Sequence, residues 1–193
     1  MNAVVNKEVA INVACEKFAA FEWLTQGLGA KSPQYGNEGH STGEKPIDYQ
    51  DRLGAIAAMK SQLAKSVTSL IIYDGKSESD YEYVRNHLAK IMADGAYKDK
   101  RKEPEHIAIY HLSWLVAQMV IEFSLNPLLE GDFTAQGRLV HVAKIDREKM
   151  SANVYRLTWK PYENLMAIAL EIAIKEAEEV IIEYKKNTYK EVS

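Results

Sequence analysis

The chain has 193 residues, of which 47% are hydrophobic and 26% charged, and its formal net charge is −3. These values fit one globular domain, or two small ones, with a real hydrophobic core, and they exclude a disordered chain. They also exclude a protein that is basic over its whole surface, so any contact with nucleic acid has to come from a local patch.

The first 46 residues predict one helix and one long loop. An apolar stripe over residues 7–27 indicates an amphipathic helix that is capped by Asn6 and ended by Gly27. Residues 28–46 hold four glycines and two prolines in neither of the known phosphate-binding patterns, which predicts a surface loop. Charges are scattered through the N-terminal stretch, which argues against a signal peptide, so we expect a cytoplasmic protein.

Two segments after the loop are predicted to be helical. Asp48 is placed to cap a helix over residues 49–65, with Leu53 and Met59 on its inward face. Residues 67–73 are rich in β-branched side chains, which favours a strand. The sequence offers no second clear strand to pair with them, so we predict a short buried helix instead.

An amphipathic helix and a charged run follow. Ser79 is placed to cap a helix over residues 80–93, whose outward face includes Arg85. The run Tyr97–Glu103 then carries four basic and two acidic residues, a net charge of +2. It is interpreted either as a solvated loop or as an arm that contacts phosphates, and the sequence leaves both interpretations open.

The sequence predicts two long helices, and the domain is expected to pack around the first of them. The segment 104–124 opens on Pro104 and is apolar nearly all round, which places it at the centre of a bundle. Polar residues interrupt it, so a membrane span is not expected. The segment 161–186 would be roughly 39 Å long, so it crosses the domain or protrudes to meet a partner chain such as a second copy. Its inward stripe is predicted to hold Leu165, Ala169, Ile172, Ala173, Ala177, Val180 and Tyr184.

The segment 134–160 predicts a helix-turn-helix. Its first helix would run from Thr134 to Asp146, with Leu139, Val142 and Ile145 on the inward face. After a tight break, Ser151 would cap a second helix that stops at Lys160 and Pro161. That second helix is predicted to carry Val154, Leu157 and Trp159 inward and Asn153 and Arg156 outward. The fold prediction is therefore all-α: a single helical-bundle domain over residues 1–193, with an embedded helix-turn-helix and a long C-terminal helix.

Positive charge is concentrated on this segment. Six basic against two acidic residues give 134–160 a net charge of +4, whereas residues 161–193 carry −3. Local cations release counterions from DNA, and outward polar groups read base edges. Asn153 would pair with adenine and Arg156 with guanine, while Arg138, Lys144 and Arg147 would hold phosphates. The full predicted DNA-binding set is Arg138, Lys144, Arg147, Lys149, Ser151, Asn153, Arg156 and Lys160.

No motif in the sequence specifies a reaction. His106 and His111 are five residues apart, not the four that stack two ligands on one helical face, and HExxH is absent. The single cysteine, Cys15, excludes an internal disulfide and a thiolate zinc cluster. Helix caps and exposed faces account for the paired carboxylates. We therefore expect no enzyme, no cofactor and no metal site.

The run Lys149–Met166, through Ser151, Tyr155, Arg156 and Trp159, resembles the end of the helix-turn-helix in phage and prophage regulators. It is most similar to the late-gene antiterminators of the Q type, which are helical cytoplasmic proteins. The resemblance implies a regulator that binds double-stranded DNA near a promoter and engages RNA polymerase.

A protein-binding phage module without DNA contact is the alternative to a DNA-binding regulator. Under that interpretation, 134–160 is structural, and the partner, a host protein complex, is bound by the last helix or by the loop 28–46. Solvent exposure of Asn153 and Arg156 favours DNA, and their burial would favour the alternative.

Overall fold

The structure is a computed structural model that describes residues 18–26 and 47–190 of the chain. All regular elements in these ranges are helical, which confirms the predicted all-α class. Residues 7–17 and 27 of the first predicted helix, and the whole predicted loop 28–46, lie outside them. The helices are α1 (residues 18–25), α2 (Tyr49–Ala58), α3 (Gln62–Ile72), α4 (Glu78–Lys98), α5 (Ile109–Leu125), α6 (Ala135–Gly137), α7 (Ala152–Thr158) and α8 (Lys160–Lys190).

A single cluster of buried side chains joins all of these helices except α6. Helix α5 supplies fully buried residues such as Leu112 and Val116, and it packs against both α4 and α8, which confirms its predicted central position. It begins at Ile109, after a non-helical stretch that follows Pro104, so the predicted start was five residues early. A helix with apolar side chains on nearly every side has to be covered by neighbours all round.

The predicted helix over 49–65 is broken into two. Helix α2 ends at Ala58, and Ser61 caps α3 by accepting a hydrogen bond from the Ala64 amide at 3.0 Å. The segment 67–73 lies mostly within α3, which confirms helix over strand there. Leu53, predicted inward, is 47% exposed, while its neighbour Arg52 is buried.

Arg85 was predicted on the outward face of its helix and is instead 8% exposed. Its guanidinium lies 3.6 Å from the centre of the Trp114 ring and pairs with the Glu82 carboxylate. A guanidinium is planar and weakly hydrated, so it can stack on an aromatic ring where an ammonium would stay in water. Helix α4 is also longer than predicted, spanning Glu78–Lys98.

Helix α8 has 31 residues and is longer than predicted, at roughly 46 Å. Ala173 and Ala177 are buried as predicted, but Leu165 and Ile172 are 47% and 63% exposed. The buried face is rotated toward Tyr162, whose aromatic ring buries more apolar surface than an aliphatic side chain. Leu165, Ile168 and Ile172 therefore form an exposed apolar strip, here called the α8 stripe. Within the described ranges, no helix combines the length and the apolar character that a membrane span requires.

Candidate nucleic-acid interface

The first helix of the predicted helix-turn-helix is short and irregular. Thr134 caps α6 through the Gly137 amide at 3.1 Å, and the chain continues as a π-helix over Arg138–Val142. The last helical residue is Val142, four residues before the predicted end at Asp146, and the Ile145 amide then donates back to the Leu139 carbonyl at 2.8 Å. Leu139 and Ile145 are buried as predicted, and Val142 is half-buried.

The second helix begins where the sequence placed it. The Ser151 hydroxyl accepts from the Val154 amide at 3.3 Å and caps α7. The break before it is not tight, because residues 143–151 separate the two helices and a usual connection has about 3–4 residues. Gln136 bridges this gap by accepting from the Ala152 amide at 2.9 Å. The side-chain bridge therefore fixes one helix against the other.

Helix α7 turns a different face to the core than predicted. Trp159 is 2% exposed, as expected, but Val154 and Leu157 are 50% and 67% exposed. The second buried position is Tyr155, at 6%. Two aromatic side chains four residues apart lie on one helical face and bury more apolar surface than a valine and a leucine. The aromatic pair therefore sets the rotation of α7.

A polar network locks this rotation. The Tyr155 hydroxyl donates to Glu163 Oε2 at 2.7 Å, and Lys160 Nζ lies 2.5 Å from Glu163 Oε1. Burial, and then the Glu163 charge, raise the pKa of Tyr155 well above its ordinary value, so the phenol stays protonated and keeps donating. Lys160, a predicted DNA contact, has its charge offset by this carboxylate.

Asn153 and Arg156 lie on the solvent face of α7, as predicted. An Arg156 amino group donates to Asn153 Oδ1 at 3.2 Å. This bond joins the two predicted base-reading side chains one helical turn apart. Both of them keep hydrogen-bond donors that can be used by a ligand, because guanidinium and amide groups have several each.

The other basic residues of the predicted DNA-binding set divide into two groups. Lys144, Arg147 and Lys149 are exposed and form what we call the basic rim. Lys144 Nζ donates to the His141 carbonyl at 2.7 Å, and Lys149 Nζ lies 3.6 Å from Asp146 Oδ2, a distance at which exposed charges interact weakly. Arg138 differs, because it is half-buried with its guanidinium 5.4 Å from the centre of the Phe123 ring.

Comparison of the chain with protein-family models, with curated proteins and with solved structures found no match. Across residues 18–26 and 47–190, no three histidine, cysteine or acidic side chains lie close enough together to hold a metal ion. The arrangement at 134–160 offers cations, amide groups and exposed aliphatic side chains. These groups are able to contact a polyanion or the surface of another protein.

The sequence prediction missed two side chains that shape this site. Gln136 was not singled out, and Glu163 was counted only as an acidic residue of the last helix. A glutamine in the first turn of a helix and a glutamate four residues after a tryptophan are common, so neither pattern specifies a contact. Their partners, the Ala152 amide and the Tyr155 hydroxyl, become visible only in three dimensions.

Proposed function

We propose that the chain is a cytoplasmic, non-enzymatic transcription regulator of the phage type that binds double-stranded DNA and acts with RNA polymerase. The observation that carries the proposal is the solvent-facing pair Asn153 and Arg156 on α7, next to the basic rim. The resemblance of Lys149–Met166 to the Q-type antiterminators points in the same direction.

The dimensions of α7 suit a DNA groove. A helix with its side chains is about 10–12 Å in diameter, and the major groove of B-form DNA that would receive it is about 12 Å wide. Arg156 would donate to guanine and Asn153 would pair with adenine. Val154 and Leu157, exposed on the same short helix, would contact thymine methyl groups. The basic rim would then neutralise phosphates that flank the groove.

Replacing Lys144 by glycine tests the electrostatic part. Lys144 has a φ of 58°, a left-handed conformation that glycine adopts without steric cost, so the charge is removed with little effect on folding. In a salt titration by fluorescence anisotropy, the slope of log affinity against log salt should become less steep by about 0.9. Binding should weaken for all duplexes alike.

The matched control is Lys76→Gly, which removes an exposed lysine just before the start of α4. It should leave both affinity and slope unchanged. Absence of binding by the wild-type protein to any duplex at low salt would overturn the proposal. If wild type and Lys144→Gly have equal slopes of log affinity against log salt, Lys144 does not contact a phosphate, and the basic rim has no part in the proposal.

Arg156→Ala tests base reading. A preferred site is first selected from a randomised duplex library. The variant should then lose about 1–3 kcal/mol of discrimination at one base pair, while its salt slope changes by no more than about 0.9. If wild type and Arg156→Ala select the same sequences with the same preference, α7 does not read bases in the way proposed.

Exposed aliphatic side chains favour a second candidate, a protein-binding module without DNA contact. The α8 stripe lies on the solvent side of α8, and Val154 and Leu157 are also exposed. Large apolar patches on a surface mark interaction sites.

The α8 stripe is also where a second copy of the chain would pack. Light scattering of wild type and Ile168→Gln measures this: a wild-type dimer that dissociates in the variant supports self-association, and a wild-type monomer contradicts it.

A further inference from the structure

The loop that follows α4 is fixed to the first turn of α8. The Tyr162 hydroxyl donates to Asp99 Oδ2 at 2.6 Å and accepts from Arg101 Nε at 2.8 Å. Tyr162 is 3% exposed, and its ring packs so closely on α4 that a Cβ on Gly95 would lie 3.1 Å from Cδ1. The buried Tyr162 side chain thus binds the loop at two points, Asp99 and Arg101.

This attachment brings the loop close to α7. The rings of Tyr162 and Trp159 are 6.1 Å apart, and Trp159 is the residue at which α7 ends. Asp99, at the start of the loop, is therefore linked through Tyr162 to the residue at which α7 ends. A DNA strand that passes the end of α7 would come close to this loop.

The loop and its approach carry three exposed lysines, Lys98, Lys100 and Lys102. Lys100 has a φ of 53°, and the Arg101 amide donates back to the Ala96 carbonyl at 2.9 Å. These are the features of a helix end at which glycine is the usual residue, because other side chains crowd the backbone there.

A lysine in a left-handed conformation after the end of a helix also occurs at the basic rim. Lys144 has a φ of 58°, and the next residue, Ile145, donates back to Leu139. Among the described non-glycine residues, three have a positive φ: Asp74, Lys100 and Lys144. Two of the three are thus exposed lysines that lie just after the end of a helix. Strained positions of this kind concentrate where a side chain is needed for function.

We propose that Lys98, Lys100 and Lys102 form a second phosphate-contacting arm, held beside α7 by Tyr162, so that the DNA backbone is contacted on both sides of the helix in the groove. The inference rests on the proposed function, because it needs a duplex at α7. It assigns the charged run at 97–103 to the second of its two interpretations, an arm rather than a solvated loop. The carboxylate of Asp99 accepts a hydrogen bond from Tyr162, which partly offsets its repulsion of a phosphate.

Lys100→Gly in the full chain tests the arm. Glycine suits the left-handed backbone, so the melting temperature should be unchanged or higher. The variant would neutralise one phosphate fewer, so the slope of log affinity against log salt should fall by about 0.9. A fourfold rise in salt should therefore weaken the variant about 3.5-fold less than the wild type. The control is again Lys76→Gly, which lies at the opposite end of α4, roughly 30 Å away.

The outcomes separate this inference from the function on which it rests. If the wild type binds duplex DNA and Lys144→Gly reduces the slope, the proposed function stands. If Lys100→Gly then behaves like Lys76→Gly, and so does the triple variant Lys98→Gln, Lys100→Gly, Lys102→Gln, the arm is refuted. A triple variant whose slope falls by clearly more than that of Lys100→Gly supports it.

Discussion

Glu176 on α8 caps a helix that lies more than a hundred residues earlier in the chain. Its Oε1 accepts hydrogen bonds from the backbone amides of Lys60 and Ser61, each at 2.8 Å. These amides precede α3, where backbone donors have no partner within the helix. Replacing Glu176 by alanine removes the acceptor of both. We expect the corner between α2 and α3 to lose its attachment to α8.

The magnitude follows from the two bonds. A hydrogen bond to a charged group contributes about 1.5–3 kcal/mol, but both bonds share one oxygen, and the carboxylate is partly exposed, so water would replace part of the interaction. We expect Glu176→Ala to lower the free energy of unfolding by about 1–2 kcal/mol. For a chain of this length that corresponds to a decrease in melting temperature of about 3–6 °C.

The pH dependence gives a second, independent readout. Burial raises the pKa of Glu176, but the hydrogen bonds from Ser61 and Lys60 outweigh it and hold the pKa below its ordinary value. A lowered pKa in the folded state means stabilisation that is complete above about pH 4.3 and is lost as the pH falls through the folded value.

The free energies of unfolding of wild type and Glu176→Gln, measured in urea, should therefore differ at pH 7. They should converge in acid, because glutamine keeps an acceptor oxygen without the charge. Glu179→Gln, an exposed change on the same helix, is the control and should have little effect. A Glu176→Ala protein as stable as the wild type would refute the reasoning, and so would a difference between wild type and Glu176→Gln that does not shrink as the pH falls below about 4.3.

Three further substitutions test contacts that fix the helices. A Cβ at Gly54 would lie 2.8 Å from Tyr184 Cζ, so Gly54→Ala should destabilise the protein by about 1–2 kcal/mol in urea, and adding Tyr184→Ala should recover part of that loss. Arg52 Nε donates to a carbonyl at the end of α1 at 2.6 Å, so Arg52→Met should cost about 1–3 kcal/mol by thermal unfolding, whereas a neutral result would show that water replaces the bond. Tyr155→Phe removes the donor to Glu163 and should cost about 1 kcal/mol, and an unchanged melting temperature would contradict the network described at α7.

Local signals predicted the helix starts that short-range chemistry decides. Asp48 caps α2 through the Asp51 amide at 2.8 Å, and Ser151 caps α7, both as expected from a short polar side chain ahead of an apolar run. The all-α class followed from periodic apolar residues and from the lack of a partner for the β-branched segment 67–73. These predictions succeeded because both interacting groups lie within four residues of each other.

Helix rotations were predicted less well, because they depend on contacts distant in sequence. Arg52 is inward and Leu53 outward since the guanidinium binds carbonyls at the end of α1, in a different part of the chain. Arg85 is inward because Trp114 offers it an aromatic face. A hydrophobicity pattern assigns every arginine to solvent, so it cannot find either position. The break between α2 and α3 was missed because the apolar period runs across it and Glu176 is far away.

At the candidate site, helix rotation also decides which side chains are exposed to solvent. Tyr155 and Trp159 occupy the core face of α7, so Val154 and Leu157 share the solvent face with Arg156. A helix that shows aliphatic and basic side chains together can contact thymine methyl groups and base edges at once, and it can also pack against a protein. The two lysines in left-handed conformations, Lys100 and Lys144, lie outside α7. Affinity for phosphates and recognition of bases would therefore reside in separate residues, which is why glycine substitutions at the lysines and Arg156→Ala measure different quantities.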